Sequence, residues 1–161
     1  MPAPRLTLGL AGVLALAAVA AALVSQHVYD MQPCPWCILQ RLLFVLIGVV
    51  GLLVAARPGW TTAGAFAIDG LASAGIAAAL WQNQVASRSV SCNLTLADRI
   101  VSGSGLDRLL PDVFAVRSNC ADAQVALLGL PYEIWSLVLF ALLAMLATRV
   151  MLGWLRSLSR S

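Results

Sequence analysis

Four long apolar stretches govern what this chain can become. They run about Leu6–Ser25, Ile38–Ala56, Thr61–Gln82 and Tyr132–Leu152. A helix needs about 20 residues, at about 1.5 Å of rise each, to cross about 30 Å of hydrocarbon. It also satisfies its own backbone hydrogen bonds, as lipid demands. All four stretches have that length. Composition agrees: 61% of the residues are hydrophobic and 11% charged, against about 45–50% and about 25% in ordinary globular domains. Too few charges are present to coat a water-facing surface. The expected fold is an all-α membrane protein, a four-transmembrane-helix bundle occupying residues 1–161 as one integral membrane domain. Loops fall at about 26–37 and 83–131.

The first stretch has the outline of a secretory signal: Arg5 precedes an apolar run, and Ala20 and Ala22 imitate a cleavage site. About 20 apolar residues exceed the usual signal core of about 7–15, so a retained helix is expected. Orientation follows from arginine, since the chain has no lysine. One set of segments carries Arg5, Arg57, Arg149, Arg156 and Arg160 with no acid among them. The other carries Arg88, Arg99, Arg108 and Arg117 diluted over many more residues, with Asp30, Asp98, Asp107, Asp112, Asp122 and Glu133. The positive-inside rule places both termini in the cytoplasm and both long loops outside. In a bacterium this means the inner membrane, with the loops in the oxidising periplasm. The net charge of +3 is thus a topology signal, and no nucleic-acid footprint is visible.

Cys34, Cys37, Cys92 and Cys120 all lie in the two outward segments. Four cysteines allow three pairings; spacing favours Cys34–Cys37 and Cys92–Cys120, one pair per loop. As staples the pairs differ. Chain entropy gives roughly 2 kcal/mol for the small ring and roughly 3.5 kcal/mol for the ring closed by Cys92 and Cys120. Pro35 fixes one φ inside the small ring and makes it hard to relax. A tight ring suits electron exchange better than stapling, because strained or exposed disulfides tend to be the oxidising, catalytic ones. A zinc site would need a second close pair or histidines, and the chain has only His27. A c-type haem would need histidine at position 38, where Ile38 stands. No metal is expected. A purely structural pair of disulfides stays open.

Cys37 sits where the second helix begins, and helix N-termini favour negative charge, so a thiolate there is stabilised. Arg41 follows four residues later on the same helical face, about 6 Å deeper by helix rise. A permanent cation one turn below a cysteine can stabilise a thiolate or the anion of a reduced quinone. The bland alternative is a snorkelling arginine that anchors the helix.

At this point the residues resemble a family. The run Cys34-Pro35-Trp36-Cys37-Ile38-Leu39-Gln40-Arg41 resembles the Cys-x-x-Cys-x-x-x-Arg signature of the bacterial disulfide bond formation protein B family, DsbB. Cys92 and Cys120 match the second loop's pair. Pro111-Asp112-Val113-Phe114, Cys120-Ala121-Asp122 and the Leu128-Gly129-Leu130 run leading to Trp135 resemble the family's sequence around its last cysteine and its fourth helix. Order, topology and spacing agree over nearly the whole chain.

The resemblance implies a relay. A reduced thioredoxin-like DsbA-type partner in the periplasm attacks the Cys92–Cys120 disulfide at Cys92. Released Cys120 attacks Cys34, and Cys37 delivers the electrons to a quinone, ubiquinone or menaquinone, with Arg41 stabilising the negative charge. Two departures mark the chain. Ala79 stands where the family often carries His or Arg, so no third-helix contact to quinone carries over. Near the fourth helix the family often reads Leu-Gly-x-x-Met-Pro-x-Trp, whereas here Pro131 is displaced. A neighbouring alternative is a vitamin K epoxide reductase-like enzyme, whose quinone-facing pair lies on a late helix. Another is a non-catalytic scaffold whose disulfides brace a loop.

Leu106, Leu109, Leu110, Val113 and Phe114 form a helical apolar stripe, which Pro111 would cut short. This reads as a short helix lying on the membrane surface or packing on the loop's own small core. Gly103-Ser104-Gly105 permits bending, which the relay needs. Asp69, inside the third helix, is expected to be a neutral or hydrogen-bonded acid at a helix contact. Gly70, Ala74 and Ala78 recur at a spacing that favours close packing. His27 is expected at the interface, and Gln82 and Gln84 are possible cavity residues.

Overall fold

The computed structural model describes residues 3–85, 96–119, 126–127 and 129–159. Cys92 and Cys120, with their expected disulfide, lie outside the described residues. In chain order the elements are α1 (Pro4–Val28), α2 (Pro35–Ala56), a 3-10 turn (Pro58–Trp60), α3 (Thr61–Gln84), α4 (Leu96–Ser104), α5 (Leu106–Leu109), α6 (Pro111–Phe114), β1 (Ala126–Leu127), β2 (Leu130–Pro131) and α7 (Tyr132–Leu158). The two short strands form an antiparallel ladder, Leu127 opposite Leu130, turned at Gly129 with φ +82°. Helices α1, α2, α3 and α7 are long and apolar enough to cross a membrane.

The helices reach further than hydropathy alone foretold. Helix α2 starts at Pro35 rather than Ile38, because proline at the first helical position costs no hydrogen bond and Cys34 caps the end. Helix α1 ends at Val28, so the first loop shrinks to 29–34. Helix α7 continues to Leu158.

Helix α1 packs on α2, α2 on α3, and α3 on α7, with a looser seam between α7 and α1. Glycines set the tight contacts. A Cβ on Gly51 would lie 2.6 Å from the Leu8 carbonyl and 2.7 Å from Gly12 Cα, so α1 and α2 meet backbone to backbone, as small residues allow in lipid. On α3, Gly75 makes room for the Phe140 ring. That ring stacks on Phe44 with centroids 3.9 Å apart and planes 2° apart, fixing α7 to α2 across the core. Leu8, Ile47, Ile68 and Leu143 complete this core.

Of the small-residue stripe expected on α3, Ala78 is buried, but Gly70 and Ala74 face outward, and Ala65, Ile68, Ala72, Gly75 and Ala79 are buried beside it. A helix apolar all round offers several small-residue stripes, and the ring of Phe140 selects the one through Gly75. Asp69 accepts a hydrogen bond from the Thr148 hydroxyl at 2.8 Å, which bears out a hydrogen-bonded acid at a helix contact.

The stripe of the long loop forms two one-turn helices, α5 and α6, broken at Leu110 just before Pro111. A third helix, α4, precedes them. Their inner side packs down: Ala97, Val101 and Phe114 join Cys34, Trp36 and Ile38 in a second core. Leu109 and Leu110 stay exposed.

Candidate active site

The site grows from the first turn of α2. Cys34 is the N-cap residue, extended at φ −87° and ψ 169°, and its sulfur accepts the Cys37 N–H at 3.4 Å. Cys37 is the third helical residue, and its sulfur lies 2.8 Å from that of Cys34. Both sulfurs therefore sit at the positive end of α2, where negative charge is favoured. Cys34 is fully buried and Cys37 partly exposed.

Arg41, one turn below, is no snorkelling anchor: only 5% of it is exposed. Its Nη1 donates to Gln26 Oε1 at 2.9 Å and to the Val113 carbonyl. The other end of the Gln26 amide donates to the Asp112 carbonyl at 3.1 Å. Helix α1 and the loop helix α6 thus hold the guanidinium in place together. Its Nε is buried and has no hydrogen-bond partner among the described residues. Cys37 and Tyr132 are the ionisable groups close enough to interact with its charge.

Helix α3 adds a donor to the sulfur. Gln82 Nε2 lies 3.3 Å from Cys37 Sγ. Its orientation is fixed by Gln40, whose Nε2 donates to Gln82 Oε1 at 2.7 Å. The next residue, Asn83, donates to Glu133 Oε1 at 3.2 Å. Glu133, assigned to the outward loop from sequence, is the second residue of α7 and is 6% exposed.

These groups border a cavity of about 420 Å³, within the range of about 300–1,000 Å³ typical of small-molecule sites. It opens where α1 turns Ala18, Ala22 and Ser25 toward α7, because side chains that small cannot fill the loose seam. Phe44, Tyr132, Trp135 and Leu139 form the apolar and aromatic walls; Cys37, Gln40, Arg41, Gln82 and Glu133 supply polarity.

Three sequence-predicted site residues, Cys34, Cys37 and Arg41, therefore come together. The second loop also reaches the site: the backbone N–H groups of Arg117 and Ser118 donate to the Pro33 carbonyl at 3.0 and 3.2 Å. His27 and Gln84 are exposed. Ala79 is buried and offers no polar group; Gln82, one turn on, supplies α3's polar contact instead. Gln26, Gln40 and Glu133 were missed from sequence. The available signal was an amide or acid within two turns of the outer end of an apolar helix.

Residues 4–150 match the family model described as Disulfide bond formation protein DsbB. The chain belongs to the DsbB family. Relatives are similar over most of their length. Disulfide bond formation protein B 1 of Pseudomonas syringae pv. syringae is 36% identical over 144 residues, covering 85% of this chain and 83% of the relative. Disulfide bond formation protein B of Cupriavidus metallidurans is 33% identical over 141 residues, covering 84% and 85%. That of Dechloromonas aromatica is 36% identical over 143 residues, covering 84% and 82%. With its four apolar helices, this DsbB-family chain is a multi-pass membrane protein of disulfide bond formation, a disulfide oxidoreductase.

Proposed function

We propose that the chain reoxidises a periplasmic thioredoxin-like DsbA-type protein by disulfide relay and passes the two electrons to a membrane quinone, ubiquinone or menaquinone. One observation carries this reading: the Cys37 sulfur borders an apolar cavity at a helix seam, beside the buried cation of Arg41. A planar ring with carbonyl oxygens fits such a place. Aromatic and aliphatic walls take the ring, and Arg41 and Gln82 offer donors to its oxygens. Bound there, a quinone supplies the two-electron acceptor.

The chain's own residues do the rest. Gln82 and the α2 N-terminus stabilise negative charge on Cys37. Arg41, held by Gln26 and α6, keeps a positive charge where electrons leave. The apolar walls exclude water, which strengthens both effects. Cys34, buried under α4 and α6, is shielded from external thiols, and the second loop itself covers it. This favours attack by Cys120 of that loop. Each exchange breaks one S–S bond and forms one: the partner's thiolate opens Cys92–Cys120 at Cys92, Cys120 opens Cys34–Cys37 at Cys34, and Cys37 is released as the electron-rich sulfur. The partner's second thiolate then releases Cys92, and Cys92 displaces Cys34 from Cys120, which re-forms Cys92–Cys120 and leaves Cys34 and Cys37 reduced. When these two give up two electrons through Cys37, the Cys34–Cys37 disulfide re-forms. Each 30 mV of potential difference is about 1.4 kcal/mol for a two-electron couple, so a quinone pool kept oxidised pulls the relay forward.

Location belongs to the same reading. Arg5, Arg57, Arg149 and Arg156 sit at the helix ends opposite the cysteines, which supports an inner-membrane chain with cytoplasmic termini and a periplasmic site. The test is turnover of purified protein with reduced DsbA-type partner and a soluble quinone, followed by loss of quinone ultraviolet absorbance. Wild type consumes quinone continuously and Cys37→Ser does not. Sustained turnover by Cys37→Ser overturns the proposal.

A further inference from the structure

Quinone reduction needs protons as well as electrons, and the groups described so far supply none. Cys37 gives up electrons as a thiolate, and Arg41 holds its proton. One acid on the cavity wall is left without a role. Glu133 is the chain's sole glutamate, is 6% exposed and borders the same cavity as Cys37 and Arg41. Among the described residues no cation pairs with it, and its hydrogen bond comes from the neutral amide of Asn83. A buried acid in a membrane helix is costly and points to function.

We infer that Glu133 is the proton-transferring residue of the cavity, giving its carboxyl proton to a ring oxygen of the quinone as the electrons arrive from Cys37. The inference rests on the quinone reading above.

The position suits the carboxylate that transfer leaves behind. As the second residue of α7, Glu133 stands at a helix N-terminus, which stabilises the carboxylate left after transfer. Asn83 donates to that carboxylate. Asn83 and Gln82 are neighbours on α3, so one turn of helix delivers one amide to the electron donor and one to the proton donor. The ionisable or charged groups around the cavity are Cys37 and Arg41 from α2 and Tyr132 from α7; α1 and α3 contribute none to its wall.

Electrons and protons balance over one cycle. Two thiols of the partner lose two electrons and two protons and become a disulfide; the protons leave to the outer water. The ring takes two electrons through Cys37 and two protons through Glu133. The carboxylate is recharged from the outer water after each transfer, across the loop residues Met31 to Pro33 that border the same cavity.

Because the chain contains a single glutamate, carboxyl-13C glutamate labels Glu133 alone. Infrared spectra of labelled wild type in nanodiscs are recorded at one fixed pH, with a short-chain quinone bound and then with its hydroquinone. The protonated carboxyl band is expected to be stronger with quinone, to which the acid donates, than with hydroquinone, whose O–H donates to the carboxylate. Trp135 on the cavity wall reports affinity in parallel by fluorescence. Glu133→Gln still accepts from Asn83 and is expected to bind quinone nearly normally but hydroquinone about tenfold more weakly. Its turnover is expected to fall about 100-fold, the scale of general acid catalysis. Quinone binding with a labelled band indifferent to the ligand's redox state overturns the role of Glu133 and leaves the cavity reading intact. Failure of wild type to bind quinone overturns both.

Discussion

Replacing Gln82 by leucine separates what this amide does for the sulfur from what it does for the fold. Gln82 and Gln40 are 6% and 4% exposed, so neither lost hydrogen bond is recovered from water. The substitution removes the donor 3.3 Å from Cys37 Sγ. A hydrogen bond to a charged group contributes about 1.5–3 kcal/mol; at this length the lower end applies, or about tenfold in a step that passes through the thiolate. It also strands Gln40 Nε2, which now donates to Gln82 Oε1 at 2.7 Å. A buried donor without a partner costs about 1–3 kcal/mol of stability. Replacing Gln40 as well removes the stranded group, and exchanging both partners for apolar ones is nearly neutral. The single variant is therefore expected to be slow and unstable, and the Gln40→Leu, Gln82→Leu double variant slow but close to wild type in stability. Denaturation in mixed micelles reads stability, and quinone absorbance reads turnover. Wild-type turnover in Gln82→Leu, or a double variant as unstable as the single, refutes the amide pair as drawn.

Further outcomes follow from the same geometry. Gly51→Ala forces a Cβ against the backbone of α1 and is expected to cost about 1–3 kcal/mol in micelle denaturation, whereas Gly70→Ala, which meets open space, is expected to be neutral or stabilising by up to about 1 kcal/mol. Gln26→Leu removes a tether of Arg41 and is expected to raise the KM for quinone about tenfold in steady-state assays at limiting quinone. Arg41→Ala is expected to lower kcat/KM for quinone about 100-fold; an unchanged rate would leave Arg41 a structural cation only.

The sequence made the bundle legible because lipid imposes a length: a span of about 20 apolar residues is visible without any tertiary knowledge. Cys34, Cys37 and Arg41 were legible because one helical turn brings them together, a relation fixed by local geometry alone. Gln26, Gln40 and Glu133 were not. They arrive on three different helices, and an amide near the end of an apolar helix reads in sequence as an interfacial residue. Only the packing of α1, α3 and α7 around α2 turns them inward. The same cause explains the partly displaced stripe on α3, where Phe140 of α7 chose Gly75 over Gly70. Proline at the first position and a cysteine cap moved the start of α2 to Pro35, because hydropathy records neither.

The decisive observation is a single turnover without any partner. Protein is reduced fully, freed of reductant and mixed with one equivalent of quinone, and the ultraviolet absorbance of the quinone is followed while the thiols are trapped. Wild type should consume the quinone and finish with Cys34 joined to Cys37, and Cys37→Ser should leave the quinone untouched. Equal consumption by the two proteins would mean that electrons leave by some route other than the Cys37 sulfur.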